Sequence, residues 1–547
     1  MPKMTSPPSG VKVRMYRQGH GDCFLLAFAG RDGRRKRNVY VLIDCGLKPK
    51  SEVKNQKIDT IIDDINEATG GHIDVVIVTH EHQDHVNGFA KKKNRKNLFD
   101  KIKSIGQIWL AWTEDETDDL ANALRNRFSD TLLTLAFAQE EVAGLLDADK
   151  LHERLSDLIG TEIGDEGTTP ASGKEGAALL KNFRQARKDN PLAAAPVLAA
   201  GSIKGITNKR AIKYLRDRAE GETFLSPDQP PEELPNVKDL KVYALGPPRD
   251  EALLLDLDPE GSEEFHIAPS GDGLALDGDV LGFAQAIAPE MNESEDDCPF
   301  AVRHRIDADE VFKFKAPDAG QARLEKSYWL EYLQNSYGKA KSDSSTMHKD
   351  VAWRRIDDDW MGAAEGLALR LNKEVNNTSL VLAFELPKTK KVLLFTGDAQ
   401  RGSWIGWSDL EWTDADNNKT TARDLLGRCV LYKVGHHGSH NATLNGTETD
   451  DYANIGWMAR GAFAKDFAAM IPANTAWALG KSQPWVHPLP QIEAALIEKA
   501  EGRVFRSDKD TIEKAATSDI SDADWADFKA DRVKETDLYF EYEIEDK

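Results

Sequence analysis

Short apolar runs that stop at glycine, histidine or aspartate recur along this chain. Residues 11–16 (Val-Lys-Val-Arg-Met-Tyr) alternate apolar and polar, Phe24 to Phe28 is an apolar run, and Gln18-Gly19-His20-Gly21-Asp22 lies between them, which predicts a strand hairpin. Val39 to Ile43 is a further strand, ending at Asp44-Cys45-Gly46. Ile58 to Ala68 has helical spacing, Ile73 to Val78 is a strand leading straight into a histidine cluster, and Ile108 to Ala111 is another strand. Strand, helix, strand, with chemically able residues at the carboxyl ends of strands, predicts a layered α/β fold.

The pattern then changes. Leu120, Leu124, Phe128, Leu132 and Leu133 recur at helical spacing, Glu140 to Ile159 continues it, and Leu179 to Ala186 and Ile212 to Arg218 add amphipathic helices. The Ala/Gly-rich stretch 191–205 reads as a loop. A strand, Leu240 to Leu245, ends at Gly246-Pro247-Pro248, and residues 249–370 mix acidic runs with turns and one aromatic helix around Tyr328 to Tyr337. Order returns with strands Leu380 to Phe384, Val392 to Phe395 and Val430 to Val434, helix Pro490 to Glu501, strand Val504 to Arg506 and the alternating Leu538 to Ile544. The expected divisions are a core at 10–113, a helical insertion at 114–237, a core strand at 238–250, a second, irregular insertion at 251–374, more core at 375–515, and a C-terminal extension with a terminal strand at 516–547. Long segments between core strands form lids or partner surfaces. The helices of 114–222 are therefore expected as a cap over or beside the site, and protein partners through the insertions.

Composition narrows the function. Among 547 residues, 71 Lys+Arg stand against 92 Asp+Glu, a net charge of −21. A polyanionic substrate would have to meet a local positive site, and Lys91-Lys92-Lys93-Asn94-Arg95-Lys96 is a candidate. No run approaches the ~20 apolar residues of a bilayer helix, so no membrane association is expected. Cys23, Cys45, Cys298 and Cys429 form no CxxC pair, and the first residues carry no apolar signal core. The expected compartment is the cytoplasm.

The strongest chemical signal is Thr79-His80-Glu81-His82-Gln83-Asp84-His85 immediately after a strand. Imidazoles and carboxylates suit divalent zinc, with manganese a second option. On an extended strand end His80 and His82 point to the same side and can share one metal, while the following turn lets Asp84 and His85 reach a second. Thr396-Gly397-Asp398 closes another strand; alone it is an ordinary turn, but beside the histidine cluster its carboxylate can bridge two cations. Gly435-His436-His437-Gly438-Ser439-His440 follows a third strand, its glycines permitting close backbone approach. His487-Pro488 before a helix is weaker, because capping and turn formation explain it equally well. Gly480-Lys481-Ser482 lacks the glycine-rich cradle of a phosphate loop. Cys45 reads as a packing residue.

With these motifs in this order the chain resembles the metallo-β-lactamase-fold hydrolases, and within them the hydrolase domain of ComEC-type competence proteins. The resemblance rests on Gln18 to Asp22, Ile43 to Gly46, the 79–85 cluster, Leu245 to Pro248, Asn376 to Ser379, Leu394 to Asp398, Lys433 to Ser439, Gly480 and His487-Pro488, over residues 10–112, 238–250 and 375–510. It implies a four-layer αββα sandwich and two divalent metal ions held by His80, His82, Asp84, His85, Asp398 and His436, with Asp44 orienting the metal loop. A further ligand histidine of many family members has no counterpart among His152, His266, His304 and His348. The expected activity is phosphodiester hydrolysis, in nucleic acid or a nucleotide, by a water activated between two metals. Asp84 would orient that water and His437, or else His440 or His487, would protonate the leaving oxygen. Hydrolysis of a thioester, lactam or phosphocholine ester on the same metals, and a non-catalytic metal-binding interaction module, are the alternatives, because function resides in the site rather than the fold.

Overall fold

The computed structural model describes residues 3–90, 96–143, 149–164, 207–265, 332, 359–414, 417–481 and 484–547. Lys91 to Arg95, the candidate helix 179–186, the loop 191–205 and nearly all of the region around Tyr328 to Tyr337 lie outside them.

The short apolar runs become two large sheets. One contains β1 (Gly10–Tyr16), β2 (Phe24–Asp32), β3 (Arg35–Ile43), β4 (His72–Ile77), β5 (Ser104–Ala111), β6 (Ala219–Leu225), β16 (Val533–Glu535) and β17 (Tyr539–Glu545), in the order β16-β17-β1-β2-β3-β4-β5-β6. The other contains β7 (Glu232–Glu233), β8 (Lys241–Gly246), β9 (Val381–Glu385), β10 (Val392–Phe395), β13 (Cys429–Lys433), β14 (Ala468–Ile471) and β15 (Val504–Arg506), in the order β15-β14-β13-β10-β9-β8-β7. A separate ribbon pairs β11 (Glu411–Thr413) with β12 (Lys419–Thr421). The expected hairpin is present, with Val11 opposite Phe28 and Met15 opposite Phe24. Strands β3 to β6 run parallel, as do β10, β13, β14 and β15. Each sheet thus has a parallel half, whose strand ends carry the histidines and aspartates.

Period-two alternation explains how the sheets pack. Val11, Val13, Phe24, Leu26, Val41 and Ile77 of the first sheet share one buried cluster with Leu382, Phe384, Leu393 and Phe395 of the second. The alternate residues of the first sheet, including Leu25, Leu42 and Val76, pack against Ile58, Ile61, Ile62 and Ile65 of helix α1 (Ile58–Thr69). Those of the second, including Val381, Leu394 and Tyr432, pack against Trp404, Trp407, Leu425 and Ile492. Each such buried aliphatic side chain contributes about 1.5–3 kcal/mol relative to exposure. Cys45 is indeed a packing residue, and Cys23, Cys45 and Cys429 are buried free thiols.

Two of the expected segments are built differently from expectation. The 114–237 segment is not helical throughout, because β6 extends the first sheet and β7 the second. Helix Asp359–Asn377, at the end of the 251–374 segment, packs through Ala368, Leu371 and Val375 against Leu132 and Leu135 of helix Asp119–Ala143 and Leu155, Leu158 and Ile163 of helix Asp149–Ile163. The two insertions therefore share a core. Among the described residues no helix is long and apolar enough to cross a membrane.

Candidate metal centre

The first half of the site is built where β3 and β4 end. Asp44, fully buried, accepts from the Thr79 N–H (2.8 Å) and, on its other oxygen, from the Thr79 hydroxyl (2.6 Å). That second oxygen also lies 2.7 Å from His85 Nδ1. The segment 44–46 is closed onto the metal loop by Cys45 N–H to His85 C=O (2.8 Å), and a Cβ at Gly46 would stand 2.4 Å from the Asp84 carbonyl oxygen. Only glycine admits that approach.

Fixed in this way, His85 Nε2 faces Asp398 Oδ2 at 3.2 Å. Burial opposes charge on this ring, but the carboxylates of Asp398, Asp22 and Asp44 outweigh it and hold its pKa well above the ordinary histidine value. Asp84 Oδ2 is 3.1 Å from His437 Nε2, and Oδ1 is 3.2 Å from Lys48 Nζ. Against the opposing effect of burial, Lys48, His437 and His85 keep Asp84 well below the usual carboxylate range. His80 is held through Nδ1, 3.2 Å from both Thr79 Oγ1 and Ser379 Oγ. His82 Nε2 meets Glu162 Oε1 at 2.8 Å.

The second half comes from β10 and β13. Gly397 has φ +52°, and a Cβ there would stand 2.9 Å from both the Ser379 and Thr79 Cβ atoms, so the turn that delivers Asp398 requires glycine. The Asp398 N–H donates to Ser379 Oγ (2.9 Å), and Asp398 Oδ1 accepts from the His436 N–H (3.1 Å). Burial opposes ionisation of Asp398, but His85, His437 and Lys433 hold it well below the usual range. Lys433 is itself buried, ion-paired with Asp22 and 3.5 Å from Asp398. His436 and His437 both have positive φ, 42° and 54°. His437 Nδ1 lies 2.8 Å from the Pro472 carbonyl, which can only accept, so Nδ1–H donates to it and Nε2 is the nitrogen turned to Asp84.

Ligand atoms of Asp84, His85, Asp398 and His437 all lie within 4.8 Å of one another, and these buried residues could hold a metal ion. Asp22, Asp44 and His85 make an overlapping group. Of the two adjacent histidines it is His437, expected as proton donor, that joins the four-residue group. His436, expected as a ligand, instead places Nδ1 2.9 Å from Ser439 Oγ and Nε2 3.3 Å from Asn376 Nδ2. The donor chemistry fits a cation: Asp22 Oδ1 and His80 Nε2 are buried without a hydrogen-bond partner. Each such atom costs about 1–3 kcal/mol if left so.

Other candidates lie to the side. His440 is exposed and 3.3 Å from Asp258. His487 stacks on His20, with ring centroids 5.3 Å apart. His152 lies on helix Asp149–Ile163, whereas His266, His304 and His348 are outside the described residues. That helix reaches the site from the 114–237 segment through two contacts, Glu162 to His82 and Thr161 Oγ1 to Lys48 Nζ (2.9 Å). Glu162, Lys48, Lys433 and Ser379 were not legible as individual site residues, and neither were His20 and Asp22 within their glycine-rich turn.

The buried imidazoles set a pH dependence. Burial, with neighbouring histidines adding to it, pushes His20 and His80 well below the ordinary value. Below about pH 6.5 the unfolded chain takes up protons that these rings refuse in the fold, so each lowers stability by about 1.4 kcal/mol per pH unit. His85 has the opposite sign, but its stabilisation is lost only as pH rises above its unfolded value. His436, pushed down to about 3, and His487 act in the same sense and Glu114, raised to about 7, in the opposite one, so urea unfolding of chelator-treated protein should show stability falling by roughly 4 kcal/mol per unit between pH 6.5 and 4.5. A flat profile would contradict neutral burial of these rings.

Searched against protein-family models and against curated proteins, the chain gives no match.

Proposed function

We propose that this chain is a metal-dependent hydrolase with the four-layer αββα architecture of the metallo-β-lactamase fold, similar to the ComEC-type hydrolase domain, and that it cleaves a phosphodiester in nucleic acid or a nucleotide. The observation that carries the reading is the convergence of Asp84, His85, Asp398 and His437, from strand ends of both sheets, into one buried set of donors. Support for the architecture comes from the apolar cluster shared by the two sheets and the helix-covered cluster on each outer face. The choice of phosphodiester rests on the order of the motifs.

In this reading Asp84, His85, Asp398 and His437 would hold one divalent cation, zinc or manganese, and His80 and His82 would contribute to a second. Such ions supply Lewis acidity and lower the pKa of water from 15.7 to about 7. The chain's own residues do the positioning. Asp44 fixes the His85 ring, the Pro472 carbonyl fixes the His437 tautomer, and Ser379 orients both His80 and Asp398. Asp84 orients the attacking water. His437, engaged through both nitrogens, is unsuited to proton donation. Burial and His436 hold His487 well below its ordinary value, so it is neutral at pH 7 and carries no proton to give. Of the expected acids this leaves exposed His440, or solvent itself, to protonate the leaving oxygen.

The test is a side-by-side assay of protein reconstituted with zinc or manganese against single-stranded DNA, a bis-nucleotide phosphodiester, a chromogenic lactam and a thioester. Phosphodiester cleavage that stops on chelation and returns with metal is the expected outcome. Cleavage of the lactam or thioester alone would contradict it.

A further inference from the structure

We infer that Trp485, with Trp477 and Lys481 behind it, is a stacking subsite for a nucleobase of the substrate, beside the metal centre. The inference deepens the phosphodiesterase reading by naming the part of the substrate that is gripped, and it rests on that reading.

A run of ring contacts leads from the metal centre to this subsite. His437, one of the four converging donors, lies against His20 with ring centroids 4.0 Å apart, and His20 lies against Trp477 at 5.0 Å. Trp477 meets Trp485 edge to face, 5.5 Å away at an interplanar angle of 78°. The backbone fixes this geometry. The Asn474 side chain caps helix Thr475–Leu479 by accepting from the Trp477 N–H (3.1 Å), and the Asn474 N–H lies 3.3 Å from His20 Nδ1. The Trp485 N–H donates to the Ala478 carbonyl (3.0 Å), which folds the chain back onto the same helix. Trp477 is thus braced by His20, and Trp485 is the outer ring.

Exposure and charge together point to a base. Both tryptophans are part-exposed, and their neighbours Leu479 and Val486 are 49 % and 46 % exposed. Among the described residues only Tyr332 joins these two as an exposed large hydrophobic side chain, so the apolar surface left uncovered is concentrated here. Beside a reaction centre such surface takes the apolar face of a ligand. Charge selects which ligand. Lys481 Nζ stands 4.3 Å from the Trp477 ring centroid and 5.4 Å from that of Trp485. Its ammonium occupies the place a quaternary ammonium would take on these rings, which disfavours a phosphocholine ester. Asp157 holds one side of it at 2.9 Å, and an ammonium with three N–H donors keeps others for a phosphate oxygen. A nucleotide supplies both complements, a π face and a negative charge. Every base has a π face, so the subsite should favour nucleotides over sugar phosphates with little choice among bases.

The experiment compares adenosine 5′-monophosphate with ribose 5-phosphate, which share sugar and phosphate and differ in the base. Binding of each to the zinc-reconstituted full chain is measured by calorimetry. Wild type should bind the nucleotide about 10-fold more tightly than the sugar phosphate. Trp485→Ala should erase that preference, whereas Trp485→Phe should keep most of it. If Trp485→Ala does not fold, Trp485→Leu keeps the bulk, removes the π face and should lose the preference equally. Equal affinity of wild type for the two compounds, no binding of the nucleotide, or a preference that survives in Trp485→Ala or Trp485→Leu would overturn the assignment. Failure of the phosphodiesterase reading looks different: wild type would prefer the nucleotide through Trp485 and yet cleave no phosphodiester with metal bound. Cleavage of single-stranded DNA by a wild type without the nucleotide preference would overturn the subsite alone.

Discussion

Asp398→Asn should lower kcat/KM for metal-dependent phosphodiester cleavage by about 10³-fold or more, a loss of roughly 4 kcal/mol in transition-state stabilisation. The reason is its place in the site. Asp398 is the carboxylate on the second sheet that faces His85 of the first, with Oδ2 3.2 Å from His85 Nε2. Its charge is kept by His85, His437 and Lys433 despite burial. An amide retains the shape and still accepts from the His436 N–H, so the fold should persist. What it loses is the negative charge that compensates a cation in a water-poor pocket. Zinc content and chelator competition should show weakened binding, while the metal-free protein still unfolds cooperatively, at a lower midpoint because His85 and Lys433 lose a counter-charge. Wild-type turnover by a folded Asp398→Asn protein would remove this carboxylate from the chemistry.

Asp44→Ala should act more broadly, destabilising the metal-free protein by about 3–5 kcal/mol and weakening metal binding 10–100-fold. The side chain accepts from the Thr79 N–H, the Thr79 hydroxyl and His85 Nδ1, and alanine leaves the Thr79 N–H buried without a partner and His85 Nδ1 with only the Thr79 hydroxyl, at 3.3 Å. Asp44→Asn separates the two effects. Its amide oxygen can still serve the Thr79 N–H, but its NH2 group now faces His85 Nδ1, which favours the tautomer protonated on Nε2. Most of the stability should survive, therefore, while metal affinity falls nearly as far as in Asp44→Ala. Equal metal affinity in Asp44→Asn and wild type would show that the tautomer of His85 does not matter.

The parts of the site that were legible in the sequence are those in which chemistry sits directly after a short apolar strand. Thr79 to His85 after β4, Asp398 after β10 and Gly435 to His440 after β13 are all of this kind, and a parallel strand leaves its carboxyl end on the same edge as its neighbour's. What was not legible depends on partners distant in the chain. His436 and His437 are chemically identical neighbours, and the choice between them is made by the Pro472 carbonyl, which follows β14. Strand β14 itself, Ala-Ala-Met-Ile, is short and alanine-rich, with no alternation to mark it. Strand β6, Ala-Glu-Gly-Glu-Thr-Phe-Leu, is a largely polar edge strand and reads as part of the helical segment around it. Glu162 lies on an amphipathic helix outside any motif, and its position becomes meaningful only once helix packing carries it to His82.

The most direct measurement of the account is an anomalous difference map from crystals of the zinc-reconstituted full chain, collected on both sides of the zinc absorption edge. The account predicts a strong peak among Asp84, His85, Asp398 and His437, within bonding distance of His437 Nε2. A map without a peak there, from protein saturated with zinc, would contradict it.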